Sequence, residues 1–252
     1  MLWFIAVFNY ADRQAIFSVF PLLEKEFNLS PIELGLLGSS FAWAYGLSGP
    51  IAGMIVDRIP RKTAILTGLH IWSIICAATA TARTFPQLLI FRAAEGLGET
   101  IYFPGSMSMI SDYHGKETRS RAMGIHQTSV YVGTIAGGYF AGLLAQEYGW
   151  RWSFLVFGGL GILLGFVLHK FLKEPVRGAM EATPAATGGS SNKELWRALR
   201  TTPTVWLLMG AFLCANFAAV VLLTWMPKFI HDKFNLNLAM SGLTATLFVQ
   251  LA

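Results

Sequence analysis

Long apolar runs separated by short polar stretches organise this chain. Eight of them approach or exceed the roughly 20 residues a helix needs to cross a bilayer. They run Leu2–Leu23, Pro31–Val56, Thr63–Ala82, Gln87–Ile110, Ala122–Gln146, Trp152–Leu172, Thr204–Pro227 and Asn235–Ala252. Ser30-Pro31-Ile32-Glu33 opens the second run as a capping box with proline in the first helical position. Glycine recurs inside the runs, and Gly133-x3-Gly137 and Gly138-x3-Gly142 give the fifth the spacing of close helix packing rather than of a dinucleotide fingerprint. The pattern predicts an all-α polytopic membrane protein.

The one long interruption is Lys173–Pro203, whose GAMEATPAATGGSSN is rich in Pro, Gly, Ser and Ala and reads as a flexible linker. It divides the chain into residues 1–172 with six spans, 173–203, and 204–252 with two more. In SNKELWRALR, Ser191 and Glu194 form a second capping box. Leu195, Trp196 and Leu199 can lie on a membrane surface while Lys193, Arg197 and Arg200 meet headgroups; an ordinary linker helix is the alternative. The first residues lack a basic n-region and a cleavage site, so they read as a true span and not a signal peptide. The stop at TATLFVQLA, within an apolar run, predicts a C-terminal truncation, and the lack of polar residues before Leu2 a shortened start.

Composition agrees. Of 252 residues, 54% are hydrophobic and 13% charged, against about 25% charged in soluble domains, and mean hydropathy is +0.51. A water-soluble globule is excluded. The net charge of +5 resolves by position. With the N-terminus in the cytoplasm, twelve basic residues fall in inner loops (Arg58, Arg61, Lys62, Lys116, Arg119, Arg121, Lys170, Lys173, Arg177, Lys193, Arg197, Arg200). Five fall outside: Lys25, Arg83, Arg151, Lys228 and Lys233. That asymmetry places the N-terminus inside, and the charge is topology, not a nucleic-acid footprint. Cys76 and Cys214 sit in apolar runs without disulfide or zinc spacing, so no metal or cofactor is expected.

Five charges remain at bilayer depth: Asp12 and Arg13 in the first run, and Arg92, Glu95 and Glu99 in the fourth. Such groups cost roughly 2.5–3.5 kcal/mol each on insertion scales and mark ion or substrate pathways. Arg92, Glu95 and Glu99 are spaced three and four apart and share one helix face. Three acids against two arginines leave one carboxylate uncompensated, which points to a group that binds and releases a proton. A structural ion-pair cluster is the competing reading, disfavoured because buried pairs contribute little stability. Asp12 precedes Phe20-Pro21 by the step that separates Glu95 from Phe103-Pro104, which suits repeats of three helices. His70 and His126 read as packing residues.

Gly53–Lys62, GMIVDRIPRK, resembles the G-x-x-x-D-R-x-x-R-K loop of the major facilitator superfamily, with Pro60 where glycine is usual. NYADR (Asn9 to Arg13), Arg92-x6-Glu99, RSRAMG, GWRWSF and TWMPKF narrow the resemblance to the anion:cation symporters, with spinster-like transporters sharing NYxDR and R-x6-E. The resemblance implies an N-terminal six-helix bundle followed by the first two helices of a second. It implies proton-coupled transport of a small organic anion such as a sugar acid, in a cell (inner or plasma) membrane. Asp12 and Glu99 would then be the protonatable pair. Arg13 and Arg92 would contact substrate or hold those acids, with Tyr10, Tyr45 and Asn216 lining the cavity. Glu95 departs from the pattern and either adds a proton site or pairs with Arg92. Gly53, Asp57, Arg58, Arg61 and Lys62 would form a cytoplasmic latch, with Arg119 and Arg121 nearby.

Three alternatives stand beside this one. A membrane enzyme using Glu95 and Glu99 finds no HExxH, GxSxG or phosphate-cradling motif. A spinster-like transporter would carry a lipid or lysolipid. A truncated product would not transport unless a missing C-terminal half completes it.

Overall fold

The computed structural model describes residues 1–180 and 200–251. The expected capping box at Ser191 and Glu194, and the surface helix around Trp196, lie outside the described residues. Those described are helical with short connections: α1 (Leu2–Ser18), α2 (Phe20–Phe27), α3 (Pro31–Arg58), α4 (Arg61–Thr79), α5 (Phe85–Glu99), α6 (Tyr102–Tyr113), α7 (Lys116–Tyr148), α8 (Trp150–Phe171), α9 (Pro203–Phe234) and α10 (Leu238–Leu251).

The first and fourth apolar runs are each two helices, which refines the sequence boundaries. Proline supplies no backbone N–H for the carbonyl four residues earlier. Pro21 and Pro104 therefore interrupt the ladder at Val19 and at Thr100–Ile101. The Phe-Pro steps picked out in the sequence sit just beyond both interruptions. Lys116, Arg119 and Arg121 belong to α7, and Lys228 and Lys233 to α9, not to loops as the charge tally assumed, because these helices continue past their apolar stretch into polar sequence. By length and composition α4, α7, α8 and α9 are each sufficient to cross a membrane. The Ser30 capping box forms as expected, with both reciprocal bonds present.

Small residues set how closely the helices approach. A Cβ on Gly133 or Gly137 of α7 would fall 2.5 Å from Val7 O or Ala11 O of α1, and one on Gly158 of α8 equally close to Ser73 O of α4. Around these seams lie two apolar clusters. One gathers Ile16, Phe20, Leu34, Leu88 and Phe154, the other Ile65, Leu69, Trp72, Tyr102 and Met109. At one end Arg151 and the Trp150 indole both donate to Glu26. Those bonds, led by Arg151, keep the Glu26 carboxyl below the usual carboxylate range.

The last two helices meet the others at that same end. Gly242 of α10 faces Gly138 of α7, and Gly142 faces Leu238. On α9, Thr224, Pro227 and Ile230 are buried, Gln14 donates to Leu223 O at 3.1 Å, and Lys228 bridges Glu24 at 2.7 Å and Asp232 at 2.5 Å. Towards the basic turn at residues 58–62, the first half of α9 is exposed, including Leu208, Phe212 and Phe217. The helices are thus closed together at one end and apart at the other.

Candidate functional site

All five mid-depth charges come together between α1 and α5, and they divide unequally. Arg13 Nε donates to Glu99 Oε2 at 2.5 Å. Arg92 donates to Glu95 one turn along its own helix. Asp12 has no such cation: no arginine donates to either of its oxygens. Of the three acids, the one left without a bonded arginine is Asp12. Glu95 takes the second of its two expected options and pairs with Arg92.

Exposure separates them as well. Asp12, Arg92, Glu95 and Glu99 are at most 1% exposed, whereas the Arg13 side chain keeps 21% of its surface open. Its guanidinium carbon lies 4.9 Å from the Tyr10 ring, 5.0 Å from Phe41 and 4.5 Å from Tyr45. Aromatic faces attract a cation and restrict its swing. Tyr10 and Tyr45 are partly exposed, so with Arg13 they form the accessible side of the cluster: one cation, two phenols, and an ion pair behind. That arrangement can hold a small carboxylate. Asn216 is not part of it; it lies on the exposed half of α9 and bonds Phe212 O within its own helix.

Asp12, Cys76 and Glu95 place a carboxylate, a thiol and a second carboxylate within 4.8 Å of one another. The Arg92 guanidinium sits on Glu95.

The residues expected to form the latch lie around the turn between α3 and α4 and at the start of α7. Gly53 has open space where a Cβ would stand, and Asp57 and Arg58 are exposed. Arg61 pairs with Asp112 at 2.9 Å. Arg119 donates to Ser111 O and His114 O, closing the end of α6, and Arg121 is exposed on α7. Two residues with no part in the latch as read from the sequence hold the turn. The Glu174 carboxylate accepts from the Arg61 and Lys62 N–H groups at 2.7 and 2.6 Å, capping α4. Arg177 donates to the carbonyls of Asp57 and Ile59. Both belong to the stretch assigned to the linker, where composition alone gives no sign of docking; the charged E-P-V-R directly after the sixth apolar run was the available signal. Phe41 and Cys76 were likewise missed, being ordinary apolar-run residues in the sequence.

A sequence profile of the Major Facilitator Superfamily matches residues 2–252. Among relatives, a probable anion transporter 1 of the chloroplast from Oryza sativa subsp. japonica is 33% identical, over 89% of this chain and 45% of its own length. A probable L-galactonate transporter of Escherichia coli K12 is 28% identical, over 98% of this chain and 56% of its own. A crystal structure of a bacterial homologue of the human lysosomal transporter spinster, inward-facing and occupied, superposes with a TM-score of 0.83 at 26% identity. That match covers 99% of this chain and 57% of that one. The chain thus spans about half the length of the relatives it matches.

Proposed function

We propose, from the premise that this chain belongs to the Major Facilitator Superfamily and is a multi-pass membrane protein, that it forms part of a secondary carrier moving a small organic anion, such as a sugar acid, together with protons by alternating access. The observation that carries this reading is the unequal division of the five charges. Arg13, in its aromatic enclosure, is the exposed cation that receives a carboxylate. Glu99 holds it in the absence of substrate. Asp12, without a cation of its own, is balanced by one proton. Arg92 and Glu95 form the internal support of this pair of acids.

Residues 1–172 make the first bundle, 173–203 the linker and 204–252 the opening of a second bundle. The membrane is a cell (inner or plasma) membrane with the N-terminus cytoplasmic, on the charge asymmetry of the loops. In that orientation the closed end of the molecule faces outward and the separated end faces the cytoplasm, the inward-facing state of the alternating cycle. The relatives named for anions and L-galactonate support the substrate class.

Cells expressing the carrier that contains this chain should take up a hexuronate or aldonate with alkalinisation of a weakly buffered medium. Glu99→Gln should abolish proton-driven accumulation and leave counterflow exchange. Accumulation that survives Glu99→Gln overturns the role given to that residue. The likeness to the spinster structure favours a second reading, a spinster-like carrier, for which the sequence resemblance implies a lipid or lysolipid substrate. Competition decides between the two: lysolipid that displaces labelled hexuronate with no reciprocal effect of other sugar acids would favour it.

A further inference from the structure

The five charges occupy two compartments, and one side chain touches both. Arg13 lies on the accessible side with Tyr10 and Tyr45 and reaches back to Glu99, which is itself fully buried. Asp12, Cys76, Arg92 and Glu95 lie behind, none more than 1% exposed. The Phe41 ring of α3 sits 5.0 Å from the Arg13 guanidinium carbon and 4.8 Å from that of Arg92. It is stacked on Tyr45 with centroids 5.9 Å apart and planes 14° from parallel.

We propose that Phe41 is a hydrophobic partition and positioning residue. Its ring keeps the Arg13–Glu99 and Arg92–Glu95 pairs from exchanging partners and closes the Asp12–Cys76–Glu95 compartment to water. Three features support this. Phe41 is 8% exposed and stands between the part-open Arg13 and the buried Arg92. It lends a face to each guanidinium, so moving it frees both cations together. And its backbone lies directly against α5: a Cβ on Gly96, the residue after Glu95, would fall 2.6 Å from Phe41 O, so α3 and α5 meet here at the closest approach glycine permits. A swing of this ring is then the step that opens Asp12 to the accessible side. The link to proton exchange rests on the carrier reading above; the partition itself does not, and it has its own test.

Cys76 reports on the dry compartment because its thiol lies with Asp12 and Glu95 and is fully buried. Cys214 is exposed on α9 and serves as an internal control. In membranes holding the protein, 2-aminoethyl methanethiosulfonate, which forms a mixed disulfide with a thiolate and releases methanesulfinate, should reach Cys76 slowly and Cys214 quickly. Phe41→Ala should speed Cys76 labelling by about tenfold or more, since local opening then costs less. Phe41→Tyr should keep the parental rate. Ile65→Ala, a cavity in the other apolar cluster, should leave Cys76 protected. The proposal is overturned if Phe41→Ala labels Cys76 no faster while Cys214 reacts normally, or if Ile65→Ala exposes it equally. Should Phe41→Ala not reach the membrane, Phe41→Val carries the same two outcomes. Failure here leaves the Glu99→Gln uptake result untouched, and the reverse holds.

Discussion

Gly242→Ala should favour opening of the closed end of the molecule without unfolding it. A Cβ at position 242 would stand 2.1 Å from Gly138 O and 2.7 Å from its carbon, where real Cβ contacts essentially never fall under 3.0 Å. The obstruction is backbone, so no rotamer relieves it, and α10 must retreat from α7 by close to an ångström. Overpacking of this kind costs about 1–3 kcal/mol. Because the added methyl clashes only while α7 and α10 are together, the cost falls on the closed arrangement alone. The ratio of open to closed should then change by about 5- to 150-fold. Ala239→Cys, 4% exposed on α10, reads this out through its rate of thiol labelling. Gly46→Ala, with nothing within 4 Å, should leave that rate unchanged. Unchanged labelling of Ala239→Cys in a well-expressed Gly242→Ala protein would refute the reasoning, as would a matching rise with Gly46→Ala.

Arg92→Met alone should destabilise by about 3–5 kcal/mol because Glu95 is left charged and buried, whereas Arg92→Met with Glu95→Leu should recover most of the loss; thermal unfolding in detergent measures both. Glu174→Ala removes two bonds to the first turn of α4 and should lower stability by about 1.5 kcal/mol, the low end for bonds to a charged group because this one is exposed. The tie from Glu26 to Arg151 depends on pH with a definite sign: a carboxyl held below its ordinary value stabilises above the unfolded value and loses that contribution as pH falls through the folded one. Glu26→Gln should therefore flatten the acid limb of melting temperature against pH below the usual carboxylate range, and an unaltered limb would count against the tie.

The spans, the capping box at Ser30 and the charged stripe on the fourth run were legible because each is a local pattern, read from spacing alone. The division of the charges was not. Arg13 follows Asp12 directly, yet it pairs with Glu99, 86 positions away, through an approach of α1 and α5 that no periodicity encodes. Phe41 and Cys76 were invisible for the same reason, since an aromatic and a thiol in an apolar run look like packing until their neighbours are known. Glu174 and Arg177 were lost to composition, because charged residues beside Pro and Gly look solvated. Asn216, which the resemblance placed in the cavity lining, lies on the exposed half of α9, away from the five charges.

The two interrupted helices run in opposite directions, so their weak points are not at the same level. Going from the basic turn towards the closed end, α1 carries Asp12 and Arg13 first and loses its ladder at Val19 afterwards. Its counterpart α5 arrives from the closed end and reaches Glu99 before the ladder lapses at Thr100–Ile101, on the other side of the charges. The charged centre is therefore bracketed by a flexure above and a flexure below, like a chamber between two valves. Each can yield while the other stays straight, and neither needs the ion pairs to break first.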